Sequence, residues 1–178
     1  TLHLPSLSCL IRRSISSSDE MLRRIRKDNE GRCRVVQRFK GESPQYVPWP
    51  DWVDGRIVKG FESIGITQLY THQKESLEKW RNGENILVTT PNASGKTLCY
   101  LIPIFQELLS DPESKFLYIT PTKALAQDQE RRIIELAAMM GLSEGTAARY
   151  DGSISFREKK NILRSPPPII LTNPDQFH

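Results

Sequence analysis

Cysteine is scarce and scattered. Cys9, Cys33 and Cys99 are odd in number, far apart and never in a C-x-x-C spacing, so neither a disulfide framework nor a zinc knuckle is indicated, and a reducing compartment is expected. No apolar stretch is long enough to cross a bilayer, because "LCYLIPIF" is cut by Pro103 and followed by Gln106 and Glu107. A soluble protein without a membrane partner is expected. Internal repeats and low-complexity tracts are also missing. Neither sign of charge dominates: 25 Lys and Arg stand against 21 Asp and Glu, and the pI near 9.0 reflects a mild positive excess that suits a phosphate-bearing partner. With 38% hydrophobic and 26% charged residues, 178 residues suffice for one globular domain and a short appendage. The chain begins at Thr1 rather than methionine and stops at His178 directly after "LTNPDQF", so it reads as a fragment.

The first eighteen residues contain Arg12, Arg13, several serines and no acid, a composition shared by organellar transit segments and by disordered leaders. Residues 19–40 are strongly basic and could touch a nucleic-acid backbone; a solvated helix followed by a strand is the plainer reading. "SPQYVPWPDW" (43–52) carries three prolines and two tryptophans and reads as an extended connector pinned by aromatics. The expected organisation is an N-terminal extension over 1–54, partly disordered or connector, and a domain over 55–178.

From there strand and helix alternate. "NILVTT" (85–90), "FLYIT" (116–120), "ARYDG" (148–152) and "PIILT" (168–172) are short β-rich runs bounded by turn residues. Between them "KTLCYLIPIFQELL", "TKALAQDQERRIIELAAMM" and "SFREKKNILRS" read as helices. In the second, Leu125, Ile133, Leu136, Ala137 and Met140 are expected on one face, leaving Lys123, Glu130 and Arg131 free for solvent or ligand. The fold class that follows is α/β, a parallel sheet covered by helices on both faces.

"TTPNASGKT" (89–97) sits between a strand and a helix pattern. It matches a phosphate-binding loop except that Thr90 occupies the opening position, where glycine is usual. In that setting backbone amides converge on an anion at the positive end of a helix dipole. Gly95 lets the backbone approach phosphate, Lys96 reaches the β and γ phosphates, and Thr97 offers a hydroxyl to Mg2+. The opening position needs the right strand exit more than a missing side chain, so Thr90 weakens the textual match more than the site. Upstream, in "GITQLYTHQKESLEKW", Leu69, Gln73, Leu77 and Trp80 are expected on one helical face. An unpaired glutamine amide buried there would cost about 1–3 kcal/mol, so Gln73 should have a partner. Adenine, which an amide can meet at N7 and N6 together, is one candidate; backbone groups of the core are the other.

"LYTHQ", "TTPNASGKTL", "PTKALAQDQ", "YDGSIS" and "ILTNPDQFH", in this order, resemble the first RecA-like domain of superfamily 2 DEAD/DEAH-box-type helicases. Within that group they are similar to bacterial and archaeal helicases related to the mitomycin-repair helicase and to the RecQ-related eukaryotic cousins. The resemblance covers about residues 55–178. It implies ATP and Mg2+ as cofactors, with Lys96 and Thr97 as the catalytic and metal-binding positions. Gln73 would read adenine with Tyr70 as a stacking partner, and Thr90, Pro91, Asn92, Ala93, Ser94 and Gly95 would complete the loop; Asn92 stands where relatives carry threonine or glycine.

The resemblance further implies a strand track made of Pro121, Thr122, Lys123 and Ala124, then Asp151 and Gly152, then Thr172, Asn173, Pro174 and Asp175. Thr122 is also placed by its residue type to cap a helix whose amides can hold a strand phosphate. "PIILTNPD" could be misread as a magnesium-binding strand, but Thr172, Asn173 and Pro174 intervene and Gln176 follows Asp175. The Asp-Glu box, the second RecA-like domain and the arginine finger are therefore expected beyond His178, so the whole protein, and not this fragment, would hydrolyse ATP. The resemblance implies an ATP-dependent helicase acting on single-stranded DNA in repair, intracellular, in the cytoplasm or the nucleoid or nucleus, with an organellar location as the alternative. A kinase or transporter-type ATPase would share the phosphate loop but have no use for Gln73 or "PTKALAQDQ". A catalytically inactive nucleotide-binding scaffold would share every motif here and differ only in the Asp-Glu box.

Overall fold

The computed structural model describes residues 44–91 and 93–177 together with Lys27, which is helical and exposed. The expectations for residues 1–18 and, apart from Lys27, for 19–40 lie outside the described residues, as does Asn92.

The described residues from Pro44 belong to one compact unit, built in the order β1 (Tyr46–Val47), α1 (Gly55–Ser63), β2 (Leu69–Tyr70), α2 (Thr71–Arg81), α3 (Leu98–Ser110), β3 (Phe116–Ile119), α4 (Lys123–Met139), β4 (Ala147–Arg149), α5 (Phe156–Arg164) and β5 (Ile169–Thr172). The central feature is a parallel sheet ordered β3-β5-β4, in which Phe116 and Ala147 both pair with Ile169. β5 takes the middle because it is the most apolar strand, and Ile169, Leu171 and Thr172 are buried. Three prolines, Pro166 to Pro168, stop α5 and deliver the chain extended into β5, where the Pro168 carbonyl accepts the Phe116 amide at 2.8 Å. Each parallel pair is joined through a helix, as parallel strands require.

Helices α1, α2, α3 and α4 supply most of the remaining core, with Ile57, Phe61, Leu77, Ile102, Phe105 and Ile133 all buried. Residues 44–54, expected as connector, pack within this unit. Tyr46 and Val47 pair antiparallel with Tyr70 and Leu69, Trp49 stacks on Phe61 at 5.9 Å between centroids, and Trp52 lies against Trp80 with Arg81 above its ring.

Three expectations are corrected. The run 85–90 has the composition of a strand but joins no ladder, and Leu87 is 88% exposed. A strand exists through the neighbour that takes its amides and carbonyls, and among the described residues none runs beside this segment. Leu69 is buried as expected but lies in β2, so the inner face of α2 is formed by Gln73, Ser76 and Leu77. On α4, Leu125 is exposed while Ala126 and Gln129 turn inward with Ile133, Leu136 and Ala137. At 3.6 residues per turn Leu125 stands about 20° beyond Leu136, at the edge of the buried stripe and on the first turn of the helix.

At the start of α1, Asp54 caps the helix, accepting the Arg56 amide at 2.8 Å while Arg56 Nη2 lies 2.7 Å from its second oxygen. These hydrogen bonds from Arg56 lower the Asp54 carboxyl to about 2. A carboxylate depressed in the folded state stabilises the fold above its unfolded pKa, near 4, and loses that contribution as pH falls toward 2. Asp54→Ala is therefore expected to lower stability at pH 7 by about 0.5–2 kcal/mol, and the gap between variant and unsubstituted chain should narrow in urea unfolding at pH 2.5.

Candidate nucleotide and strand sites

The loop that carries Gly95 and Lys96 leads from residues 85–90 into α3. Gly95 has φ +74° and Ala93 φ +60°. Left-handed residues interspersed in such a loop turn successive amides toward one side, which makes an anion-binding concavity. Thr90 has a function at the opening position: its hydroxyl and that of Ser94 hydrogen-bond at 2.6 Å and close the loop from within. Lys96 folds back across the loop, its ammonium donating to the carbonyls of Thr90 at 2.5 Å and Pro91 at 2.7 Å. Among the described residues it pairs with no carboxylate. Thr97 is the N-cap residue of α3, and its hydroxyl makes no bond to the helix, so it is available to a ligand. Cys99, one turn on, is buried, and that burial raises its thiol pKa, which makes it a packing residue.

Gln73 joins this loop to α2. Its Oε1 accepts the Tyr70 amide at 2.8 Å and its Nε2 donates to the Gly95 carbonyl at 2.9 Å, and the residue is 2% exposed. Backbone groups are thus the partners that satisfy the buried amide. The Tyr70 ring lies beside Gly95 and is sandwiched by Tyr46 at 5.1 Å and His72 at 5.7 Å between centroids. A Cβ on Gly95 would stand 2.5 Å from Gln73 Nε2, an atom that cannot retreat because it is enclosed and bonded.

The second cluster lies where the strands of the sheet end. Pro121 and Thr122 follow β3, and Thr122 caps α4, accepting the Leu125 amide at 3.2 Å; Lys123 and Ala124 are exposed on its first turn. Asp151 and Gly152 follow β4, and Asn173, Pro174 and Asp175 follow β5. The fold brings these together. Thr172 Oγ1 donates to the Tyr150 carbonyl at 2.7 Å, and Lys123 passes so close over Gly152 that a Cβ there would meet its ammonium at 3.0 Å. The carboxyl ends of parallel strands are where ligands bind in open α/β sheets.

Not every predicted residue faces outward. Asp151 is fully buried: its Oδ1 accepts the Ser153 amide at 2.7 Å and the Ser153 hydroxyl, and Oδ2 lies 3.6 Å from Arg149 Nη1. Burial alone would raise its carboxyl, but the two Ser153 hydrogen bonds and the charges of Arg149 and Lys123 outweigh it and leave the pKa lowered. A carboxylate aimed at a strand would repel phosphate; turned inward, it shapes the turn instead. Thr172 and Asn173 are likewise buried, Asn173 donating to Asp175 at 2.9 Å. The surface of this cluster is left to Pro121, Thr122, Lys123, Ala124, Gly152, Pro174 and Asp175, with Lys123 its one cation. Glu130, expected free, is held by Arg149 through Nε at 2.6 Å and the backbone amide at 2.9 Å. That pair went unseen in the sequence because its members are remote in the chain; the Asp151–Ser153 turn was signalled by "DGS", an acid two residues before a hydroxyl.

Residues 70–178 match the family model for DEAD/DEAH box helicases, over the span that holds both clusters. The chain belongs to the DEAD/DEAH box helicase family. It is 41% identical to the uncharacterized ATP-dependent helicase YprA of Bacillus subtilis over 74% of this chain. It is 30% identical to the ATP-dependent helicase hrq1 of Schizosaccharomyces pombe over 96% of this chain. The chain spans 17% of the length of each of those two proteins. A crystal structure of the DUF1998 helicase MrfA bound to DNA superposes with a TM-score of 0.76 at 36% identity, over 92% of this chain and 21% of that one. A second MrfA structure, bound to DNA and AMPPNP, gives 0.72 at 39% identity over 77% of this chain and 19% of that one. The fold of this DEAD/DEAH box domain is that of the RecA-like helicase domains.

Gly95→Ala in this domain is expected to cost more stability than Gly83→Ala. Both glycines have positive φ, so both substitutions carry the backbone strain of about 1–3 kcal/mol. Only Gly95 adds the encounter with Gln73, since nothing lies within 4 Å of a Cβ at Gly83. Parallel thermal melts of the two variants check the order.

Proposed function

We propose that this chain is the ATP-binding and strand-holding part of an ATP-dependent DNA helicase. The observation that supports the reading best is the presence, in one compact unit, of a loop with two left-handed residues opening α3 and, at the carboxyl end of the sheet, three strand exits that meet around Lys123 and Gly152. A kinase-like ATPase needs the first and has no use for the second.

In this reading the amides of the 93–97 loop and the Lys96 ammonium hold the β and γ phosphates. The residues fit such a group: Lys96 has only carbonyl partners to give up, and the Thr97 hydroxyl is uncommitted. Among the described residues no cluster of three His, Cys, Asp or Glu side chains could hold a metal ion alone. Mg2+ would therefore arrive with the nucleotide, take Thr97 as a ligand and neutralise phosphate charge. Gln73 retains one N–H and one lone pair after its two backbone bonds, the complement that adenine requires.

On the strand side, Lys123 and the first-turn amides of α4 serve as phosphate contacts, while Asp151, Thr172 and Asn173 hold the turns in place from within. No carboxylate bonds to Lys96 or Thr97 among the described residues, so hydrolysis is proposed for the whole protein, with the water-orienting carboxylate and the arginine finger supplied by other segments. DNA as the strand, a repair role and an intracellular site follow from the resemblance and are proposed with it. No described helix is long and apolar enough to cross a membrane.

The test is binding of a fluorescent ATP analogue, with and without Mg2+, and of single-stranded DNA. Lys96→Ala is expected to weaken nucleotide binding about tenfold or more, the value of a hydrogen bond to a charged group. Unchanged affinity would reject the phosphate-loop assignment. Lys123→Ala is expected to weaken DNA binding and flatten its salt dependence. In the whole protein, nucleotide and strand binding without DNA-stimulated hydrolysis would assign an inactive scaffold instead.

A further inference from the structure

Helix α5 follows the Asp151–Ser153 turn, and none of its nine residues is buried. A helix lying on a domain ordinarily turns its apolar stripe to the core. Here Ile162 is half-buried, while the other two large apolar side chains face out, Phe156 83% and Leu163 70% exposed. Four cations, Arg157, Lys159, Lys160 and Arg164, share the helix with one acid, Glu158. At about 100° per residue, Phe156, Lys160 and Arg164 form a ridge along one side, about 12 Å from first to last, with Leu163 about 20° round from Phe156 and two turns further along. Glu158 stands nearly opposite Lys160, and its carboxylate is occupied by the helix cap, accepting the Ser155 amide at 2.7 Å and hydroxyl at 2.6 Å. The cations of the ridge therefore have no acid of their own helix to neutralise them.

Lys159, off the ridge, ties α5 to the strand cluster. Lys159 lies over the Tyr150 ring at 5.4 Å and reaches Gln176 Oε1 at 3.5 Å, and Gln176 in turn borders Gly152. The ridge thus continues the surface that carries Lys123. An exposed aromatic in line with cations is the composition that binds single strands, bases stacking on the ring while phosphates meet the charges.

We propose that α5 extends the strand-binding face, with Phe156 stacking on a base and Lys160 and Arg164 meeting the adjoining phosphates of single-stranded nucleic acid. The proposal rests on the strand reading given above, and the experiment separates the two. Fluorescence anisotropy of the 178-residue chain would be measured with oligo-dT and with an abasic oligonucleotide of equal length, across a salt series. Phe156→Ala and Phe156→Leu are expected to weaken oligo-dT binding about fivefold or more, the lower range for one stacked base, and to leave abasic binding unchanged. Lys160→Ala combined with Arg164→Ala should weaken both and lower the salt slope by about 1.4, two single-strand phosphates.

If Lys123→Ala weakens binding while the α5 variants match the unsubstituted chain, the α5 proposal is overturned and the strand face stands. No DNA binding by the unsubstituted chain overturns both. Equal losses by the Phe156 variants on the two oligonucleotides would reject stacking. Variants that lose polyglutamate binding but keep oligo-dT would assign the ridge to an acidic protein segment and overturn the proposal.

Discussion

The two hydrogen bonds of the Gln73 amide hold the loop that opens α3 to the start of α2. One end of the amide fixes the Tyr70 backbone where β2 passes into α2, and the other fixes the Gly95 carbonyl where the loop passes into α3. Few side chains can serve both, since the geometry asks for a donor and an acceptor a fixed distance apart and the interior forbids a net charge. Glutamate would present a second acceptor to the Gly95 carbonyl, and an apolar residue would leave the Tyr70 amide without this partner. The absence of a side chain at residue 95 is the other half of the same arrangement, because the space of its Cβ is taken by that amide.

A different economy governs the far ends of the strands. The buried polar residues there, Asp151, Thr172 and Asn173, spend their hydrogen bonds on the turns, and the surface is left to the other residues of the cluster, with Lys123 their one cation. Residues that a motif groups together divide into those that could meet a ligand and those that hold the former in place. Thr122 serves as a cap and leaves the outward amides of the first turn of α4 oriented. The Arg149–Glu130 pair locks β4 to α4, so the turn after β4 inherits the position of the helix beneath it.

Much of this architecture was legible from local pattern. The three strands of the sheet overlap the short β-rich runs, β4 beginning one residue before its run, and the helices between them coincide with the periodic segments to within two residues, because such signals act over a few residues. "GKT" after an apolar run located the loop for the same reason. What the sequence did not disclose depends on partners remote in the chain. Residues 85–90 have strand composition, yet a ladder is a property of two segments. The inner face of α4 was misplaced by one residue at Leu125, since an exposed leucine and a buried one look alike without the surface they pack on. The backbone satisfaction of Gln73 required knowing that Gly95, 22 residues away, would present its carbonyl there. The outward turn of Phe156 was equally hidden, for an amphipathic pattern states that two faces differ and not which of them meets the core.

The folded-back posture of Lys96 changes the character of anion capture by the loop. A solvated, freely rotating lysine gives up both hydration and rotamer freedom when it clamps a phosphate; a side chain of this kind carries up to about 2 kcal/mol of such freedom. In this domain the ammonium is already desolvated in part and parked on the carbonyls of Thr90 and Pro91. An arriving phosphate therefore swaps acceptors, neutral oxygens for anionic ones. The enthalpy released is the difference between two kinds of charge-assisted bond, and the entropic cost of ordering the lysine has largely been met in advance. Occupancy of the loop by an anion would then be an exchange of partners, reversible with little reorganisation.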